Sequence, residues 1–216
     1  MASDGLLTYY ASRFPACELN NTFYQQPTES KVRNWLAATP EAFRFAVKAQ
    51  RGGSLRALLG SPTESVPWLT GPLAWFGPRL GSVLYRVPLH VQRADERLAA
   101  LLAAWPREIP LTLEFQHSSW IVDETFSMLR DAGAALCATE LPEDPEPPTL
   151  RLTAPFLYLR LRRHDYSSAE ISGWADRLMP FLDAGTQAFV FFRHDSVGRA
   201  TELVEELERA VAAQRS

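Results

Sequence analysis

Seven short apolar runs, with helical patterns in four of the six stretches between them, most narrow what this 216-residue chain can fold into. The runs are Ala16–Leu19, Phe43–Lys48, Ser82–Val87, Leu111–Phe115, Ala134–Thr139, Phe156–Leu161 and Ala188–Arg193. Helical patterns fall at Leu6–Phe14, Glu29–Ala38, Ala94–Trp105, Asp123–Ala132, from Ser167 or Ser168 to Leu182, and Ser196–Ala213. In the second of these Val32, Trp35 and Leu36 share a face. Asp123 reads as an N-cap and Gly133 as the residue that ends that helix. Strands alternating with helices predict an α/β fold built on a parallel sheet with its helices outside. Seven strands are one short of an eight-stranded (β/α) barrel, and an open doubly wound sheet shares the same pattern. The length favours a single domain over residues 1–216.

Composition removes several classes of function. Hydrophobic residues at 46% and charged residues at 22% exclude a disordered, collagen-like or coiled-coil chain. A net charge of −3 gives no general attraction to nucleic acid or an anionic membrane. The two cysteines, Cys17 and Cys137, stand far apart, so neither a zinc pair nor a disulfide framework is expected. The opening residues lack a basic, apolar leader, and the longest apolar run, Leu98–Pro106, is too short to span a bilayer. A cytoplasmic protein with no membrane partner is therefore expected. No Gly-x-Gly-x-x-Gly, Walker loop, His-Glu-x-x-His or Gly-x-Ser-x-Gly is present. Two connections, Gly60–Pro78 and Glu140–Pro148, are rich in turn formers, and the second reads as a stiff acidic surface loop.

A set of motifs in fixed order carries a resemblance. Leu7-Thr-Tyr-Tyr-Ala-Ser-Arg-Phe14, then Cys17-Glu-Leu-Asn-Asn-Thr-Phe-Tyr24 and Pro27, resembles the opening of the YecE-like family, domain of unknown function 72. The match continues through Trp35, Pro40, Phe43-Arg-Phe-Ala-Val-Lys48, Leu80-Gly-Ser-Val-Leu84, Glu114-Phe-Gln-His-Ser-Ser-Trp120 and Tyr158-Leu-Arg-Leu161. It closes on Phe191-Phe-Arg-His-Asp195 with Gly198 and Ala200. The resemblance implies a TIM-like barrel and a polar site, and implies no particular reaction or cofactor. Family chains usually begin with a further strand bearing a Gly-Thr-Ser-Gly-Trp-like stretch, which has no counterpart here. About seven parallel strands with outer helices are therefore expected, with a dimer through exposed strand edges as one way to cover them. The family also tends to have Gln where this chain has Arg86, Arg where it has Gln116, and His where it has Arg162.

Alternation along each strand sorts the side chains by face. Leu157, Leu159 and Leu161 form an apolar face for the helices, which leaves Tyr158, Arg160, Arg162 and His164 on the other. The same rule sets Thr112, Glu114 and Gln116 against Leu111, Leu113 and Phe115. Arg44, Ala46 and Lys48 oppose Phe43, Phe45 and Val47, and Ser82, Leu84 and Arg86 oppose Val83, Tyr85 and Val87. Glu18 and Asn20 follow the same beat. Lys48, Arg86, Arg160 and Arg162 are thus the candidate anion-binding cations, with Arg44 a fifth inward cation. Glu114 and Glu18 are the candidate acid–base groups. The alternative is a salt-bridge network in which Glu114 anchors Arg160.

Asn20, Tyr24, Gln116, His117, Trp120, Tyr158, His164, Arg193, His194 and Asp195 are the candidate rim. His117, His164 and His194 with Glu114 and Asp195 have irregular spacing, so no metal is assigned to them. Asp195 has a second reading as a helix cap. Trp120, Tyr24, Phe23 and Trp174 read either as stacking surfaces or as core packing. Three functions remain open: an enzyme acting on a small phosphorylated or carboxylated substrate, a nucleic-acid-binding or phosphodiester-cleaving protein, and an anion-binding protein without catalysis. A small anionic ligand is the expected partner, ahead of nucleic acid.

Overall fold

The structure is a computed structural model that describes residues 3–193 and 198–215. It has the TIM-like α/β architecture, with seven parallel strands and helices in the connections. The chain forms two compact units, Met1–Ala134 and Ala135–Ser216.

The first unit contains α1 (Ser3–Ala11), β1 (Ala16–Leu19), α2 (Glu29–Ala37), β2 (Arg44–Lys48), α3 (Arg51–Leu59) and α4 (Pro62–Thr70). It continues through β3 (Leu80–Val87), α5 (Asp95–Ala104), β4 (Leu111–Phe115) and α6 (Asp123–Ala132). β1 to β4 pair in chain order, and all pairs are parallel. Cys17 lies beside Phe45, Leu19 beside Val47, Val47 beside Val83, and Tyr85 beside Leu113. Phe45, Val47, Val83, Tyr85 and Leu113 are buried, which makes this the core face, as parallel strands covered by helices require. On the opposite face Glu18 lies beside Ala46, Ala46 beside Ser82, Lys48 beside Leu84, and Arg86 beside Glu114.

The second unit contains β5 (Ala135–Glu140), β6 (Phe156–Leu161), α7 (Ser168–Asp183), β7 (Gln187–Phe192) and α8 (Arg199–Gln214). Its strands are also parallel and in chain order. Leu157, Leu159 and Leu161 pack with Ile171, Trp174 and Leu178 of α7 and with Leu203 and Leu207 of α8. That is the apolar face expected from alternation. Tyr158 and Arg160 lie on the other, with Cys137, Thr139, Phe189 and Phe191 as their strand neighbours.

Helix ends follow local chemistry. Ser167 caps α7 through a reciprocal pair of bonds with Glu170: the serine hydroxyl accepts from the Glu170 N–H at 3.3 Å, and the glutamate accepts from the Ser167 N–H at 2.8 Å. The Ser167 N–H first, and then its hydroxyl, which also donates to the carboxylate at 2.8 Å, hold the Glu170 carboxyl below the usual glutamate range. Its contribution to stability is therefore complete above that range and fades as pH falls through the lowered value. Ser167→Ala is expected to destabilise the protein by about 1 kcal/mol and to return Glu170 only part of the way to its ordinary titration, because the backbone N–H remains, read by denaturant unfolding at several pH values. Gly133 ends α6 in the left-handed conformation (φ 68°), as expected. The cap of α6 differs from expectation: Val122 occupies the N-cap without a side-chain bond, and Asp123 is the first helical residue.

The connection 60–78, read as turn-rich, folds largely into α4 and a following 3₁₀ segment, Gly71–Arg79. α3 was not expected because Gly52 and Gly53 weaken helical propensity near its start. Packing accounts for the second glycine. A Cβ on Gly53 would lie 2.5 Å from the Trp68 ring and 2.6 Å from Leu69 on α4. Gly53→Ala is accordingly expected to destabilise by about 1–3 kcal/mol in thermal or chemical unfolding, where most exposed glycines would tolerate the change.

Candidate functional site

In the first unit the polar face ends in charged side chains at the C-terminal ends of its strands, where barrels of this architecture carry their sites. Lys48 is the last residue of β2 and is buried. Its ammonium donates to Asn20 Oδ1 at 3.4 Å and lies 4.9 Å from the centre of the Phe23 ring. The Thr22 hydroxyl donates to the Lys48 carbonyl at 2.7 Å, so the turn after β1 is tied to the end of β2. α3 begins three residues later, which sets the positive end of its dipole at the same end of the strands.

Register brings the next pair together. Arg86 and Glu114 are partners on β3 and β4, and Arg86 Nε approaches Glu114 Oε2 to 3.2 Å. The carboxylate side chain is only 4% exposed, whereas the arginine side chain is 34% exposed. The contact is a close approach of opposite charges without hydrogen-bond alignment at Nε. The Arg86 Nη atoms make no hydrogen bond among the described residues. Beneath them Ser82 and Thr112 join hydroxyls at 2.7 Å on the same face. Glu18 is half-buried on β1. Its neighbour Cys17 is pushed up to about 12 by burial and by the Glu18 charge, so it stays a thiol at neutral pH.

Arg44 takes a different part from the one expected. It starts β2, and its Nη1 donates to the carbonyls of Glu41 at 3.1 Å and Ala42 at 2.9 Å. This inward cation therefore braces the loop entering the strand, at the end opposite Lys48.

The rim candidates divide by burial. Tyr24 is 79% exposed, and Asn20 is exposed. Gln116 is half-buried, its N–H bonded to Val87 O at 3.1 Å. His117 caps a 3₁₀ turn: its Nδ1 accepts from the Ser119 N–H at 3.1 Å and lies 2.9 Å from the Ser119 hydroxyl. Trp120 is fully buried, stacks 4.7 Å from Phe115 and donates from Nε1 to Val91 O at 2.8 Å. It is a core residue rather than a rim surface.

In the second unit Arg160 is buried on the polar face of β6, and Arg162, just past the end of the strand, is half-buried. Tyr158 is fully buried against Phe189 and Phe191, again core rather than rim. His164 and Arg193 are exposed and lie together, Nδ1 to Nη1, at 3.0 Å. His194 and Asp195 lie outside the described residues. Among the described residues no three histidine, cysteine or acidic side chains gather as a metal would require, and no helix is long and apolar enough to cross a membrane.

A further polar cluster went unread in the sequence. Glu140, which its sequence neighbours place in the acidic connection, is the last residue of β5 and is 1% exposed on the helix-facing side. Its Oε2 accepts from the Tyr166 hydroxyl at 2.8 Å and from Trp174 Nε1 at 3.2 Å, while Arg163 Nε lies 2.9 Å from Oε1. Burial first, and then Glu140, hold the Tyr166 hydroxyl well above its ordinary range, so it remains a donor. Trp174 is thereby a core residue too, covered on one side by the Arg177 guanidinium at 4.4 Å. The only signal for Glu140 was that it continues the alternation of Leu136 and Ala138, and a carboxylate on an apolar face defeats that rule.

These features have counterparts among known proteins. The chain is 25% identical to the UPF0759 protein YunF of Bacillus subtilis, over 93% of this chain and 84% of that one. It superimposes with a TM-score of 0.83 on the crystal structure of the DUF72 family protein EF0366 of Enterococcus faecalis V583, at 21% identity, covering 98% of this chain and 95% of the other. The DUF72 family protein TM1631 of Thermotoga maritima gives the same TM-score at 23% identity, covering 98% and 91%. The model of the protein family of unknown function DUF72 matches residues 1–216. By that match over its whole length, the chain belongs to the DUF72 family.

Proposed function

We propose that the polar face of the first unit binds a small phosphate- or carboxylate-bearing ligand through Arg86 and Lys48, with Glu114 placed to exchange a proton with it. The observation that carries this reading is the state of Arg86. Its Nε is buried against Glu114, its side chain is one-third exposed, and its Nη atoms hold no hydrogen bond to a described residue. A guanidinium oriented at one edge by a buried carboxylate presents its other edge as a ready fork for an anion. Lys48 ends the neighbouring strand on the same face, and the start of α3 adds favourable potential. Glu114 beside a cation is suited to act as a base once a ligand is held there.

Inorganic phosphate or a small dicarboxylate is expected to raise the melting temperature by mass action. At a hundredfold excess over Kd the stabilisation is about 2.7 kcal/mol, or several degrees for a chain of this size. Arg86→Gln, which keeps a neutral donor near Glu114, should abolish the shift. A flat melting temperature across the anion series, or an equal shift in Arg86→Gln, would overturn the reading.

A further inference from the structure

We infer that the ligand is a phosphate ester carrying a flat ring, an aryl or nucleoside monophosphate, and that the ring stacks on Tyr24. The inference rests on the anion-binding reading above and adds what the far end of the ligand must be. Tyr24 is the most exposed large apolar side chain among the described residues, at 79%. A single exposed ring is ordinary by itself, so only its place relative to the anion site can give a reason for it. Its position supplies one. Phe23 touches both it and the proposed anion site: the Lys48 ammonium is 4.9 Å from the Phe23 ring centre, and that centre is 5.4 Å from the Tyr24 ring. The two rings meet edge-on at 84°. The Gln50 amide donates to the Tyr24 carbonyl at 3.4 Å, and Gln50 Oε1 in turn accepts from the Gly53 N–H at 2.7 Å. The backbone that carries the Tyr24 ring is thus tied to the start of α3 before any ligand arrives, which limits the ordering that binding must impose.

Other exposed rings do not offer the same surface. Trp68 has the Arg56 guanidinium over it at 5.1 Å. Tyr9 sits on α1, where its hydroxyl accepts from Arg13 at 3.1 Å. Trp75 belongs to the 3₁₀ segment that leads into the start of β3, at the end of the strand away from Arg86. A phosphate near Lys48 and a ring on Tyr24 both border Phe23, a separation that a sugar or short linker spans.

Titration calorimetry with inorganic phosphate, phenyl phosphate and adenosine 5′-monophosphate tests this on the intact chain. The two ring-bearing esters are expected to bind about tenfold more tightly than inorganic phosphate. Tyr24→Ala should erase that advantage while leaving inorganic phosphate unchanged, and Tyr24→Phe should keep it. Tyr24 is exposed, so neither variant disturbs the core. Esters that bind no better than inorganic phosphate, or a Tyr24→Ala variant weakened equally for all three, overturn the ring inference and leave the anion site standing. Failure of all three to bind the unmodified protein overturns both.

Discussion

Replacement of Glu140 by alanine is expected to lower the unfolding free energy by about 3–5 kcal/mol, among the largest effects available from one side chain in this protein. The carboxylate is buried in the second unit and answers two directed donors, the Tyr166 hydroxyl at 2.8 Å and Trp174 Nε1 at 3.2 Å, besides the Arg163 charge at 2.9 Å. Alanine leaves those two donors without their acceptor, and desolvated donors are far more costly than absent ones; Arg163 loses one partner and keeps Glu170, 3.1 Å from its Nη1. Glu140→Gln should fall between the two, because the amide keeps one acceptor but turns an NH₂ toward a donor. Denaturant unfolding measures both. A loss below about 1 kcal/mol for Glu140→Ala would mean that water enters and replaces the carboxylate. Arg163 would also be loosened from the acidic connection, since its Nη2 donates to the Asp144 carbonyl at 3.2 Å. The protease sensitivity of residues 141–149 should therefore rise in parallel.

Arg86→Ala is expected to destabilise by about 2–4 kcal/mol, below the range for a fully buried pair because water already reaches the guanidinium. The reason is the asymmetry of the pair: Glu114 is 4% exposed and Arg86 34%, so the mutation removes a cation from a carboxylate that remains inside. Arg86→Gln should recover part of the loss in the same unfolding assay. It should recover none of the anion response, because a neutral amide lacks both the charge and the fork. An alanine variant as stable as the parent would show that the contact at 3.2 Å contributes little.

How far the sequence reaches can be judged from particular elements. The bounds of β1, β4 and β6 coincide with the apolar runs, and the remaining strands differ at their ends by one or two residues. Period-two patterning is a local property, and it survives tertiary context because one face must meet helices. It also sorted Glu114, Lys48 and Arg86 onto one face correctly. It failed where a residue breaks the rule for its face. Glu140 is a carboxylate on the apolar side, tolerated only because Tyr166, Trp174 and Arg163 come from later in the chain. α3 failed for a related reason, since its glycine pair lowers helicity locally while Gly53 lets α4 approach. Trp120 and Tyr158 looked like rim residues by position, yet burial is decided by neighbours such as Phe115 and Phe189 that periodicity does not locate.

Alternation of polar and apolar side chains, acting over a few residues at a time, was enough to determine the strands, their faces and the charged character of the proposed site. Partner choice was beyond it. That Glu114 meets Arg86, that Arg44 turns back to its own loop, and that Glu140 is enclosed by an α7 core each depend on register and packing between distant segments. A charge declares its sign in the sequence, but its energy depends on what surrounds it, and only the tertiary structure decides that.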